Sequence, residues 1–215
     1  MKRIFILSSI VLSVNLFAQK PTYITGIFGD SIVNALMGNH SLFMESDFYP
    51  LRSKKILKEG NICEEQLSVD TFQTAVLSVL AQHSTTYSRM QSIFITPGDS
   101  VSFVIDTIGR SIVFKFSGTN AAHYNFDYQL FEKFWNYPFF KKGDNIMAYK
   151  DTISNILDRK YTFLDDYAKN NLVSKEFYDY AKASILNEYI SRLYSPLYGQ
   201  IKKEDIPDGY FDENL

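Results

Sequence analysis

The chain of 215 residues carries 22 Lys and Arg against 24 Asp and Glu, a formal charge of −2, and 46% of it is hydrophobic. That apolar share supports a sizeable core and excludes a wholly disordered chain, while the near-balanced charge lacks the basic excess of a nucleic-acid binder. A single cysteine excludes an internal disulfide framework, a Cys-rich zinc site and any dithiol redox cycle within one chain.

The N-terminus has the layout of a secretory signal peptide. Lys2 and Arg3 supply a positive start, residues 4–16 are mostly apolar, and the small Ala18 precedes Gln19-Lys20-Pro21. The apolar stretch falls short of the about 20 residues that span a bilayer, so residues 1–18 are expected to be removed; an uncleaved anchor is the other reading. With no cysteine near the cut, a thiol-linked lipid anchor is excluded. The mature chain, with 20 basic against 24 acidic residues, is expected to be exported to the periplasm or cell envelope without a stable membrane span.

From Tyr23 to Phe116 the pattern is short, strand-like and broken by turns. Strands are expected at 23–29, 41–49 (closed by Pro50), 66–70, 74–80, 91–95, 100–105 and 111–116; residues 31–37 fit a helical turn or a strand equally. Val101, Phe103 and Ile105 alternate with Ser100, Ser102 and Val104, and Ile112, Phe114 and Phe116 repeat the pattern. Period two with one apolar face indicates antiparallel sheet packed on one side or in a sandwich. Thr96-Pro97-Gly98-Asp99 suits a type II turn, because proline presets φ and glycine accepts the positive φ that follows.

Beyond Asn120 the period becomes helical. Tyr124, Tyr128, Phe131 and Trp135 fall on one stripe of a first helix, widened by Leu130 and Phe134 and broken by Pro138 and Lys141-Lys142-Gly143. A second helix, about 145–169, carries Tyr149, Ile153, Ile156, Leu157, Leu164 and Tyr167 on one side and ends at Asn170-Asn171. A third is opened by Ser174 as N-cap, with Glu176 in its first turn, and runs through Phe177, Ala181, Ile185, Tyr189 and Leu193 to Ser195-Pro196. Residues 206–211 read as a turn and a short apolar anchor. The expected fold is therefore α+β: an antiparallel sandwich-like domain over 19–118, then a helical subdomain of about three helices over 119–215, meeting at Ser117-Gly118-Thr119-Asn120.

Sites of chemistry are sparse. The sequence has no P-loop, dinucleotide, H-E-x-x-H or G-x-S-x-G motif, so no catalytic, cofactor-binding or metal-ligating residue and no cofactor is assigned. His40 and His83 read as loop residues and His123 as first-turn helical; their spacing makes no ligand set, and exposed or capping roles are preferred. Glu64-Glu65, Asp165-Asp166 and Glu204-Asp205 are adjacent pairs, and neighbours on a helix diverge by about 100°, so solvated faces are preferred to an acid–base pair. Cys63, beside Glu64 and Glu65, reads as a half-buried residue at a strand start rather than a reactive thiol. The stripe Tyr124, Tyr128, Phe131 and Trp135 could be a carbohydrate or peptide platform, with core packing the preferred reading. Tyr137, Tyr161 and Tyr180, outside the stripes, are expected to be exposed and suited to partner contact.

Two segments, Ile95-Thr96-Pro97-Gly98-Asp99-Ser100-Val101 and Phe116-Ser117-Gly118-Thr119-Asn120-Ala121-Ala122, together with the late Ile206 to Phe211, form a recognisable series. In this series, over about 22–212, the chain resembles the N-terminal accessory region of exported TlpA-like thioredoxin-family disulfide reductases of Gram-negative bacteria. The resemblance implies a binding or positioning module whose partner is an envelope protein or peptide, for example a thioredoxin-fold domain. That family's catalytic C-x-x-C belongs to a downstream thioredoxin domain and has no counterpart here, so no catalytic residue is implied. The expected function is a non-catalytic envelope module; the alternative is a truncated or split thiol-disulfide oxidoreductase.

Overall fold

The structure, a computed structural model, describes residues 21–28, 40–45, 54–56, 62–67, 69–81, 89–108, 111–198 and 201–211. Among them are eight strands: β1 Thr22–Phe28, β2 His40–Glu45, β3 Lys54–Ile56, β4 Ile62–Leu67, β5 Gln73–Ala81, β6 Arg89–Ile95, β7 Ser100–Ile108 and β8 Ser111–Gly118. Three helices follow: α1 Ala121–Phe134, α2 Ile146–Asn170 and α3 Lys175–Tyr194. The α+β class and the order of strands before helices are as expected.

The strands form two four-stranded sheets, ordered β4-β1-β7-β8 and β3-β2-β5-β6. Both contribute to one core. Ile24, Val101, Phe103, Ile105, Phe114 and Phe116 of the first sheet cluster with Ala75, Leu77, Ile93 and Ile95 of the second, which makes the pair sandwich-like. The expectation of an antiparallel arrangement is corrected at one seam: β1 runs parallel to β7, with Ile24 opposite Val101, so the first sheet is mixed. Parallel neighbours cannot be joined by a hairpin, and here β2 to β6 intervene between them. Alternation reveals the two faces of a strand and says nothing of its direction.

Several boundaries also move. The strand expected at 66–70 lies at Ile62–Leu67, paired antiparallel with β1 so that Cys63 stands opposite Gly26. Its run of Cys63, Glu64 and Glu65 shows no alternation, and backbone pairing along the edge of the sheet sets its place. β3 was not expected, because three residues are too few to display a period. His40 opens β2 opposite Ala81 rather than lying in a loop. The readings at 31–37, 46–50 and His83 lie outside the described residues.

Helix α1 closes the side of the sandwich where edge strands β8 and β6 would otherwise stand open. The Asn125 amide acts as a substitute strand for β8: its Oδ1 accepts from Phe116 N and its Nδ2 donates to Phe116 O, both at 2.9 Å. The Asp127 carboxylate accepts from Ser92 N on β6 at 3.1 Å, and Gln91 Nε2 donates to Tyr124 O at 2.9 Å. Covering an unpaired edge in this way removes a template for aggregation.

The turn before β7 positions α1. Gly98 has φ 82, and Asp99 N donates to Thr96 O at 3.1 Å, the bond expected of the type II turn. Thr22 locks it from β1, donating through Oγ1 to Thr96 O and accepting from Gly98 N, both at 3.1 Å. Asp99 is 1% exposed, and its carboxylate accepts from Thr96 N at 2.8 Å, Asn120 Nδ2 at 2.7 Å and Tyr124 OH at 2.7 Å. The two sequence segments that carried the family resemblance thus meet through Asp99 and Asn120. Gly98→Val is expected to cost about 1–3 kcal/mol, since a β-branched residue resists positive φ. Unchanged thermal stability of that variant would contradict the account of the turn.

The helical half begins and ends where the caps place it. Asn145 Oδ1 accepts from Ala148 N at 3.0 Å to open α2, and Ser174 Oγ accepts from Phe177 N at 3.1 Å to open α3. Phe177, Ala181, Ile185, Tyr189 and Leu193 are all buried, one on each successive turn of α3. Phe94 of β6 sits among Phe126, Leu164, Tyr167, Phe177 and Ile185, so the outer side of β6 packs on the helices at this residue. Tyr210 anchors the tail, fully buried, with its hydroxyl donating to Leu193 O at 2.8 Å. No helix among the described residues is long and apolar enough to cross a membrane.

Candidate functional site

The first helix corrects the aromatic-stripe expectation. Tyr124 is buried in the sandwich core, Tyr128 donates its hydroxyl to Glu132, and Phe131 and Trp135 are 53% and 70% exposed. The reason is placement: α1 packs on the sheet edges through its first two turns, where His123, Tyr124 and Phe126 are buried, and its later turns run past them. The same stripe therefore begins as core and ends as surface.

That exposed end forms one wall of a cleft of about 280 Å³. Asp127, Leu130, Phe131 and Phe134 come from α1, Trp135 is its C-cap, Tyr137 follows it, Lys160 comes from α2, and Glu188 and Arg192 from α3. Pro138 comes next, where the chain has left the helix. Lys160 is 4% exposed; its ammonium donates to Glu188 Oε2 at 2.6 Å and lies 4.7 Å from the Tyr137 ring centre. The Arg192 guanidinium lies 4.8 Å from the Tyr137 ring centre and 4.4 Å from that of Phe139, which is itself 69% exposed. Among the described residues Arg192 forms no ion pair. Burial, reinforced by the Glu188 charge, raises the Tyr137 hydroxyl well above the usual phenol range, so that ring stays neutral.

Tyr137, expected to be exposed, is buried, and Tyr161 and Tyr180 are half-buried against the helical core. Their positions off the helical stripes did not reveal that a third element would cover them. The exposed aromatics include instead Phe131, Trp135 and Phe139, grouped at the end of a helix and just beyond it, with Tyr23, Phe72, Tyr194 and Tyr198 exposed elsewhere.

The remaining candidate residues do not converge on this cleft. Asp165 and Asp166 diverge as expected: Asp165 accepts from Tyr178 OH at 2.6 Å and Asp166 pairs with Lys169 at 3.7 Å. Glu204 and Asp205 are exposed in a short 3-10 turn. Cys63, Glu64 and Glu65 lie within β4, and His40 in β2. Among the described residues no three His, Cys, Asp or Glu side chains gather as a metal set would require.

His123 departs from its expected exposed or capping role: it is 2% exposed. Its ring stacks on Phe177 with centres 4.5 Å apart, and its Nε2 accepts from Ser174 N at 3.0 Å, which helps tie the start of α3 to α1. Desolvation holds its pKa below the usual 6.5, opposed by the charges of Asp99 and Glu176. The unfolded imidazole therefore binds a proton at higher pH than the folded one. Its contribution to stability is complete above 6.5 and is lost as pH falls through the folded value. Denaturation followed from pH 7 to pH 5 should show a shallower decline for His123→Gln than for the wild type; equal slopes would contradict this account.

No protein-family model matches the chain, and no curated protein matches it in sequence.

Proposed function

We propose that this protein is an exported, non-catalytic binding or positioning module that acts through contacts with an envelope protein or peptide. The observation that carries this reading is the cleft at the end of α1, where exposed Phe131 and Trp135 border the side chain of Arg192. Exposed aromatic residues beside an arginine are the composition of a contact surface, in which a few such anchors supply most of the binding energy. The resemblance to the accessory region of TlpA-like reductases supports the same reading and suggests a thioredoxin-fold domain as one such partner.

Photo-crosslinking residues placed at Phe131 or Trp135 test the surface in the native envelope. A discrete cross-linked species is expected from both positions. None is expected from the exposed Leu172, which precedes the N-terminal end of α3, an end about 25 Å along the helix from Arg192 at 1.5 Å per residue. Equal labelling from all three positions would remove the cleft from the function. The same resemblance also fits a second reading, a thiol-disulfide oxidoreductase whose C-x-x-C domain is missing or encoded separately. With one thiol, the purified chain is expected to leave insulin disulfides unreduced above the dithiothreitol background. Catalysed turnover would overturn the non-catalytic reading. A W-C-x-x-C segment encoded downstream of Leu215 would favour the second reading.

A further inference from the structure

Resting on the reading of this cleft as a contact surface, we propose that it recognises an Asp or Glu side chain, flanked by an apolar residue, on an extended segment of a partner protein. The argument begins with which polar groups in the cleft are already used. Lys160 is satisfied by Glu188 at 2.6 Å, and Asp127 accepts from Ser92 N on β6. Arg192 has no ion pair among the described residues, and its guanidinium lies against Tyr137 and Phe139. Aromatic contact restrains a guanidinium without consuming its N–H donors, and the planar fork matches a carboxylate through two parallel hydrogen bonds.

The four charged side chains of the lining, Lys160, Arg192, Glu188 and Asp127, sum to zero, so the anion is recognised by a placed fork rather than by a net positive field. Lys160 is paired with Glu188 and the Asp127 carboxylate is held on the sheet edge by Ser92 N, which leaves the Arg192 guanidinium to meet a carboxylate. The volume agrees with a side chain. At about 280 Å³ the cleft falls just below the roughly 300–1,000 Å³ of pockets that enclose whole small ligands. The lining favours a peptide over a sugar. A polyhydroxylated ring needs several polar partners, whereas this cleft offers one charged fork without an ion pair among the described residues, bordered by the exposed rings of Phe131 and Trp135. An acidic head with an apolar neighbour uses both features, the fork for the carboxylate and the exposed rings for the neighbour.

Trp135 is the sole tryptophan of the chain, so emission excited selectively from tryptophan, beyond the absorption of the 15 tyrosines, reports on this cleft. The purified protein is titrated with end-blocked heptapeptides lacking tryptophan, one with a central glutamate between phenylalanine residues and one with glutamine in its place. A third arm uses a galacturonate oligomer. The glutamate peptide is expected to shift the Trp135 emission to the blue saturably, at least tenfold more tightly than the glutamine peptide, and to weaken as salt is raised. Arg192→Gln should erase the difference between the two peptides, and Arg192→Lys, which keeps charge but loses the fork, should recover only part of it. The glutamate-to-glutamine comparison needs no change to the protein, so it stands even if an Arg192 variant folds poorly.

Equal saturable binding of both peptides would overturn acidic recognition and leave the contact-surface reading intact. Saturation by galacturonate with no response to either peptide would overturn the peptide assignment. No response to any probe, together with absent cross-linking at Phe131 and Trp135, would overturn both this inference and the reading on which it rests.

Discussion

Asp99→Ala is expected to destabilise the protein by about 3–5 kcal/mol, read as a lowered urea midpoint at unchanged slope. The carboxylate is 1% exposed and satisfies Thr96 N, Asn120 Nδ2 and Tyr124 OH at once. Removing it strands three donors at the corner where the sheets hand over to α1, and each donor left dry costs about 1–3 kcal/mol. Partial access of water to Asn120, which is half-buried, keeps the total below the sum of the maxima. Burial and the adjacent Asp99 charge hold the Tyr124 hydroxyl far above the usual phenol range, so it remains a donor at any physiological pH. Asp99→Asn should retain most of the stability: the oxygen serving Thr96 and Tyr124 is kept, and the Asn120 amide can flip to offer its own oxygen to the new NH₂. A loss below about 1 kcal/mol for Asp99→Ala would contradict the role of this carboxylate as the hub of the corner.

Gly118→Ala is expected to cost about 3 kcal/mol or more, from two independent sources. Gly118 has φ +106, outside the range that L side chains adopt readily, and a Cβ there would lie 2.3 Å from Ser100 O. That oxygen cannot easily retreat. It belongs to the strand beginning immediately after Asp99, and it accepts from Thr119 N at 2.9 Å. Relief requires β8 and β7 to separate at Gly118 and Val101, the last pair of their ladder, which also moves Asn120 away from Asp99. Thermal denaturation of Gly118→Ala should therefore show a large loss. Combining it with Asp99→Ala should cost less than the two separate losses added, because both act on one corner. Simple additivity would show that the two residues stabilise separate parts of the fold.

Much of the architecture was legible because it rests on local chemistry. The cap at Ser174, the glycine of the Thr96–Asp99 turn and the one-per-turn run from Phe177 to Leu193 each specify a conformation without help from distant residues. The alternation of Val101, Phe103 and Ile105 located the core face of β7 for the same reason. The candidate cleft was only half legible. The stripe ending in Phe131 and Trp135 was visible, but its assignment to the core failed because a helical stripe does not record where its support ends. Arg192 carries no local signal in the sequence, since its setting comes from Tyr137 and Phe139, more than fifty positions earlier in the chain. Tyr137 likewise owes its burial to Lys160 and Arg192, which pack against its ring from distant helices and leave no mark on its local sequence.

By itself the amino-acid order determined the α+β class, the sheet-to-helix boundary near Gly118, the helix caps and the lack of a second thiol, because these depend on residue type and short-range spacing. The tertiary structure alone decided that β1 runs parallel to β7, that Asn125 and Asp127 cover the sheet edges, that His123 is buried, and that Trp135 and Arg192 share a cleft. Those outcomes depend on which distant surfaces meet, and hydrophobic burial, which drives that meeting, is non-directional and leaves no period in the sequence to announce its partner.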